Sequence, residues 1–301
     1  MINSVITYGA TRITLNDLSN LHSFYAFDIV RPDTVVVRQT KDYIPGQNEA
    51  DFFRANLGER LIELRGTVRG YNETDLYTKI EDLKEAFHPI GVETDTSGTD
   101  GFLPLKWTDL GRAAKMYLAK PLRVVDVSES VDMGFERNFR IFLETEIPFA
   151  LSQASKNYTL SIVTGTGTGG GAIPATVPML VAGGSVYAGT QVVVNSGDIP
   201  ANLTATFNNQ NTAPKVTNST TGETVAFTSD VSLNDGDQLV VDFKNSTAWL
   251  TASGVATNVI KYLTTASRFF KINSGNNTLI FTGDSLSATA NCEVSFYDTY
   301  S

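Results

Sequence analysis

Across its second half the chain repeats one device: a short run rich in β-branched and aromatic residues, closed by a turn. Residues 185–194, 203–207, 223–227, 238–243, 277–281 and 292–297 are such runs. Thr221-Gly222, Asp235-Gly236 and Ser274-Gly275 supply turn chemistry between them. Short strands at this regular spacing bury their apolar faces by packing one sheet on another, which predicts a β-sandwich.

The first half is also strand-rich. In residues 61–70, Ile62, Leu64 and Val68 face one way while Glu63, Arg65, Thr67 and Arg69 face the other. Phe139, Ile141, Leu143 and Ile147 repeat the pattern against Asn138, Arg140, Glu144 and Glu146. Phe142 breaks it, an apolar residue on the polar face, and reads either as plain surface or as a contact with a neighbouring subunit. Residues 35–38 and 117–127 are further strand candidates, and Pro121 favours an edge position for the second.

One helix is expected, at about residues 73–88. Leu76, Ile80, Leu83 and Phe87 fall at helical spacing, and Lys79, Glu81, Asp82 and Lys84 lie opposite them. Asn72 or Thr74 can cap its start, Asp75 suits the positive end of the helix dipole, and His88-Pro89 ends the run. The chain is therefore expected to be mostly β: an N-terminal β-barrel or sandwich-like domain with one helix covering an open sheet face, then a C-terminal sandwich.

A length of 301 residues is about two average domains. Of the 55 charged residues, 40 precede position 151, a shift that marks two domains. Residues 164–171 read TGTGTGGG, which cannot pack a core and behaves as a flexible linker or long loop. The expected division is 1–150, a Gly-rich connection over 151–172, and 173–301.

The formal charge of −9 and the lack of any basic, aromatic-rich window exclude specific nucleic-acid binding. An acidic wall does suit a conduit, since it repels phosphates and lets nucleic acid slide past. Cys292 is the only cysteine, so no intrachain disulfide or thiolate metal cluster exists, and as a strand residue it is expected to be a buried, inert thiol. The first ten residues lack a basic n-region and an apolar run, and no segment reaches the ~18 apolar residues of a membrane span. The chain is expected to fold in a cytoplasm without membrane insertion.

His22 and His88 are the only histidines, and His88 at a helix end is better placed as a dipole partner than as a base. Asn234-Asp235-Gly236-Asp237 lacks the ligand spacing of a calcium loop and reads as a hairpin turn. The Gly-rich run lacks the Lys-Ser/Thr of a phosphate-binding loop. No catalytic, cofactor-binding or metal-ligating set is expected. Trp107, Trp249 and Tyr262 stack on sugar rings if exposed and fill core or interface if not; Trp249 and Tyr262 are the candidate sugar contacts.

Several segments, in order along nearly the whole chain, resemble the distal tail protein family of long-tailed, non-contractile bacteriophages. In the first half these are Ile44-Pro45-Gly46, residues 58–66, the helix from Asp75 to Phe87, and Ile147-Pro148-Phe149. In the second they are residues 217–223, 234–242 and 269–277, similar to the family's galectin-like C-terminal domain. The Gly-rich run at 164–171 is not part of the family's pattern.

The resemblance implies a virion structural protein of the tail tip, a baseplate hub, with no catalysis and no cofactor. It implies a hexameric ring of N-terminal domains around a channel for DNA passage, continuous with the tail tube. The C-terminal galectin-like β-sandwich domains would project outward to carry receptor-binding proteins, a tail fibre or a tail-associated hub protein, or to touch host surface carbohydrate. Within residues 41–56, the adjacent Phe52 and Phe53 point to opposite faces of a strand and are hard to bury in one small domain. They are expected, with Phe142, at a subunit interface, on an arm that packs against the next copy. The competing expectation is a lectin-like adhesion protein recognising cell-wall sugars through the second domain.

Overall fold

The computed structural model describes residues 5–8, 13–15, 24–29, 35–43, 50–89, 102–108, 114–128, 135–162 and 188–301, with the side chains of 5–8, 24, 26–29, 35–43, 50–59 and 107–108 outside that description. Contacts divide the chain into two compact units, Met1–Gln153 and Ala154–Tyr300.

Unit 1 contains β1 (Val5–Tyr8), β2 (Ile13–Leu15), β3 (Phe24–Ile29), β4 (Val35–Tyr43), β5 (Ala50–Arg69) and the helix α1 (Glu73–Ala86). After the helix come β6 (Leu103–Thr108), β7 (Lys115–Pro121), β8 (Asp126–Val127), β9 (Glu136–Thr145) and β10 (Ala150–Ser152). The main sheet runs β2-β1-β6-β7-β9-β5-β3, with β4 on β5, β8 on β9 and β10 on β7. Every pairing is antiparallel.

Alternation sets the sheet's two faces. Ile62, Leu64 and Val68 of β5 and Phe139, Ile141 and Leu143 of β9 are all buried, so they share the core side. The helix closes that core with Leu76, Ile80, Leu83 and Phe87, each buried and each contributing about 1.5–3 kcal/mol by leaving water. Asn72 is the cap, its side chain accepting from the Asp75 N–H at 2.9 Å, while the Asp75 carboxylate accepts from the Tyr71 N–H at 2.8 Å. A side chain at Gly70 would collide with the Leu76 backbone, so the passage from β5 into the helix requires glycine.

Two expectations fail here. Ile147 is not a strand residue: β9 ends at Thr145 and the chain bends through 146–149. Pro121 does not mark an edge, because β7 lies between β6 and β9. The proline is tolerated as the strand's last residue, and the next N–H, of Leu122, resumes bonding to the Phe142 carbonyl at 2.9 Å.

Unit 2 opens with β11 (Lys156–Ser161), which falls inside the stretch expected to be a connection. It continues with β12 (Gly189–Asn195), β13 (Leu203–Asn208), β14 (Asn211–Thr212), β15 (Lys215–Asn218), β16 (Glu223–Ala226), β17 (Ser232–Leu233) and β18 (Gln238–Asp242). The last strands described are β19 (Thr247–Ala252), β20 (Val255–Asn258), β21 (Gly275–Thr282), β22 (Ser285–Leu286), β23 (Asn291–Phe296) and β24 (Thr299–Tyr300). A six-stranded sheet, β11-β23-β13-β18-β19-β20, a four-stranded sheet, β12-β21-β15-β16, and a small β17-β14-β22 sheet enclose one core. Phe207 and Phe281, from the two larger sheets, meet with ring centres 5.7 Å apart. The run at 164–171, and residues 185–187 of the strand expected at 185–194, lie outside the described residues.

The turn segments are structural. Gly222 and Gly236 have φ of 78° and 87°, the left-handed region that favours glycine. Asp237 accepts from the Asn234 N–H at 2.8 Å, so the Asp235 loop is a tight turn with its own hydrogen bonds, but not the expected hairpin, because the strands it joins, β17 and β18, pair in different sheets.

Candidate functional site

Two surfaces stand out, one on each unit. On unit 1 it is the sheet face turned from the core. Arg65 of β5 stands directly opposite Arg140 of β9, and Glu63 opposite Phe142. Arg65 grips Glu63 in a two-pronged ion pair, Nε to Oε1 at 2.8 Å and Nη2 to Oε2 at 2.9 Å. That hydrogen bond, with the charges of Arg65, Arg140 and Arg123, holds the Glu63 carboxyl below its ordinary range. On its other side Arg140 stands opposite Asp126 of β8, but its side chain makes no hydrogen bond or ion pair among the described residues.

Beside this pair the face is apolar. The Arg123 guanidinium carbon lies 3.9 Å from the Phe142 ring centre. Leu61 and Leu122 are 49% and 47% exposed. A cleft of about 520 Å³ opens at the Arg65–Arg140 pair, its polar walls formed by Arg65, Thr67, Asp126, Ser128, Asn138 and Arg140. Arginine with half-exposed apolar residues is the composition of a protein-binding surface. Among the described residues no group of histidine, cysteine and carboxylates is placed to hold a metal.

On unit 2 it is the outer face of the six-stranded sheet. Register aligns Asn258, Trp249, Val240, Thr206, Glu293 and Thr159 in one row across it. In the neighbouring row Gln238 donates to Asn208, at 3.2 Å, and Asn208 to Asn291, at 3.0 Å. Trp249 is 45% exposed at one end of this largely uncharged face. Tyr262 does not join it; its ring is half-buried, packs partly on the unit's core and lies under Lys261.

The remaining expected site residues divide as follows. Phe142 is on the surface just described. Phe52 and Phe53 lie on β5, where Phe52 pairs with Lys41 of β4 next to a bulge, and their side chains lie outside the described residues. Cys292 is fully buried, and that burial, with Glu293 nearby, pushes its thiol well above the ordinary range. His88 follows the helix end, its N–H donating to the Glu85 carbonyl at 3.2 Å. The Arg65–Arg140 opposition, Leu61 and Leu122 were not among the expected site residues. Their one trace in the sequence is that Leu61, like Phe142, puts an apolar side chain on a strand's polar face.

Residues 196–300 match the family model of the siphovirus-type tail component, C-terminal domain. Over these residues unit 2 is similar to the siphovirus-type tail components. The three segments read as similar to a tail protein's second domain, 217–223, 234–242 and 269–277, all lie within the match. The family is structural, so this tail component is a part of the virion tail and not an enzyme. No curated protein matches the sequence.

The tail component also has the fold of the SPP1 Dit protein, whose crystal structure is described as a paradigm of the hub adsorption apparatus in phages infecting Gram-positive hosts. The two align over 99% of each chain with a TM-score of 0.60 at 14% identity. A chain of the phage P2 baseplate, in its activated conformation with Ca, aligns over 98% of this chain and 97% of its own, with a TM-score of 0.48 at 9% identity.

Proposed function

We propose that this tail component is a distal-tail hub, joining the tail tube to the adsorption apparatus. In this reading unit 1 closes with copies of itself into a ring of six around a channel for DNA. Unit 2 projects outward and carries receptor-binding proteins or a tail fibre. The observation that carries the reading is the family match of 196–300 in a chain that follows the SPP1 Dit fold from end to end. The half-exposed Leu61 and Leu122, with the partly buried Phe142, supply the kind of surface that assembly requires. Phe52 and Phe53 belong to the same reading as an arm on the next copy. Negative-stain images of the purified chain should show rings, and the chain should capture tail-tube protein. If Phe52→Ala with Phe53→Ala leaves oligomerisation unchanged, the arm is wrong.

A second reading, a lectin-like site, is favoured by Trp249. An exposed indole on a neutral face of amides and hydroxyls suits a neutral sugar, with the ring stacking and the amides bonding. The full chain would then bind wall polysaccharide saturably, and Trp249→Ala would abolish binding without lowering stability. Equal binding by the variant rejects Trp249 as the contact.

A further inference from the structure

Unit 1 presents two exposed surfaces of unlike charge. On the helix, Glu73, Tyr77, Glu81 and Glu85 follow at four-residue intervals and all are exposed, so they form a single stripe along the side turned from the core. Tyr77 leaves 52% of its surface in water in the middle of that stripe. On the sheet, the surface built around Arg140 offers guanidinium groups beside Phe142, Leu61 and Leu122.

Each surface lacks what the other has. Two arginines directly opposite each other on a sheet repel, Glu63 is gripped by Arg65, and Arg140 makes no ion pair even with Asp126, its register partner on β8, so Arg140 can take a further carboxylate. The spacings also agree. Two residues along a strand, as from Phe142 to Arg140, advance about 6.8 Å, and four along a helix, as from Tyr77 to Glu81, advance about 6 Å. A ring on an aromatic side chain and a carboxylate on Arg140 can therefore be met together.

We infer that the acidic stripe of α1 seats on the Arg140 face of the next copy of this chain, Tyr77 against Phe142 and Glu81 at the cleft between Arg140 and Asn138. The inference rests on the ring reading and names the surfaces that build it. The partner is a second copy because one unit carries both halves of the contact. Like surfaces set face to face would place arginine on arginine and carboxylate on carboxylate. A contact between two different surfaces of one molecule repeats head to tail, and such contacts generate rings when the rotation closes.

The test is charge reversal on the full chain, read by sedimentation velocity. Arg140→Glu gives Arg65 a cross-strand partner while setting a carboxylate opposite the exposed Asp126, and Glu81→Arg with Glu85→Arg puts cations in the last part of the helix, where its dipole favours them, so both variants are expected to fold. Circular dichroism melting checks this. Each reversal should weaken assembly about tenfold or more, since like charges then face each other across the contact. A chain carrying both sets should return to within about threefold of the parent. An assembling parent that is indifferent to either reversal, or a combined variant no better than the weaker single one, overturns this interface and leaves the ring standing. A parent that never assembles overturns the ring reading, and the interface with it.

Discussion

Lys156 Nζ lies 2.8 Å from Oδ2 of Asp298, whose side chain is only 6% exposed. The same ammonium donates to the Val194 carbonyl at 2.8 Å and to Ser196 Oγ at 2.9 Å, while Asp298 Oδ1 accepts from the Ser196 N–H at 2.9 Å. One ion pair thus ties the first residue of β11 to the end of β12 and to the segment after β23. Asp298→Asn leaves the ammonium without its counter-charge and should cost about 2–3 kcal/mol, less than a fully buried pair because Lys156 is partly in water. Urea unfolding measures it, and a loss below about 0.5 kcal/mol, as for a surface pair, contradicts the account.

Buried amides hold the turns of unit 2. Asn277 is fully buried; its Nδ2 donates to the carbonyls of Asn273 and Gly275 at 2.8 and 3.2 Å, and its Oδ1 accepts from the Asn273 N–H at 3.1 Å. Asn218, also fully buried, donates to the same Oδ1. Asn277→Ala strands several of these groups and should destabilise the chain by about 2–4 kcal/mol. Asn276→Ala, an exposed neighbour, should cost far less. Equal effects of the two substitutions would refute the role.

Cys292 is fully buried on β23, and its thiol is held in the neutral form. A thiol reagent should label the native chain only as fast as unit 2 opens, and should label the urea-unfolded chain at once. Rapid labelling of the native chain contradicts the burial.

Phe142 lies on the sheet face turned from the core, partly buried under Arg123. Phe142→Ala should leave the melting temperature within a few degrees of the parent and weaken self-association about tenfold or more. A variant that assembles like the parent removes Phe142 from the interface.

The helix is legible in the sequence because its period survives intact: Leu76, Ile80, Leu83 and Phe87 are all buried in the positions their spacing predicts. The β5–β9 pair is legible for the same reason with a period of two. Strands β19 and β20 are not, because Ala248 is too small to announce a core position and β20 is exposed at every residue. Ile147 fails in the opposite way, continuing an alternation past the point where the chain bends. The site is harder to read than the fold. Arg65 and Arg140 become opposite only through strand register across 75 residues of chain, which no local pattern encodes. Phe142 is visible because it violates a local rule, and Trp249 because it is one of two tryptophans.

The most direct test is electron cryomicroscopy of phage particles whose copy of this chain carries a small C-terminal label. The account predicts a ring at the distal end of the tail tube, unit 1 surrounding an open axial channel and the label on the outside. Density for a single copy, or for this chain on the capsid or along the tube, contradicts it.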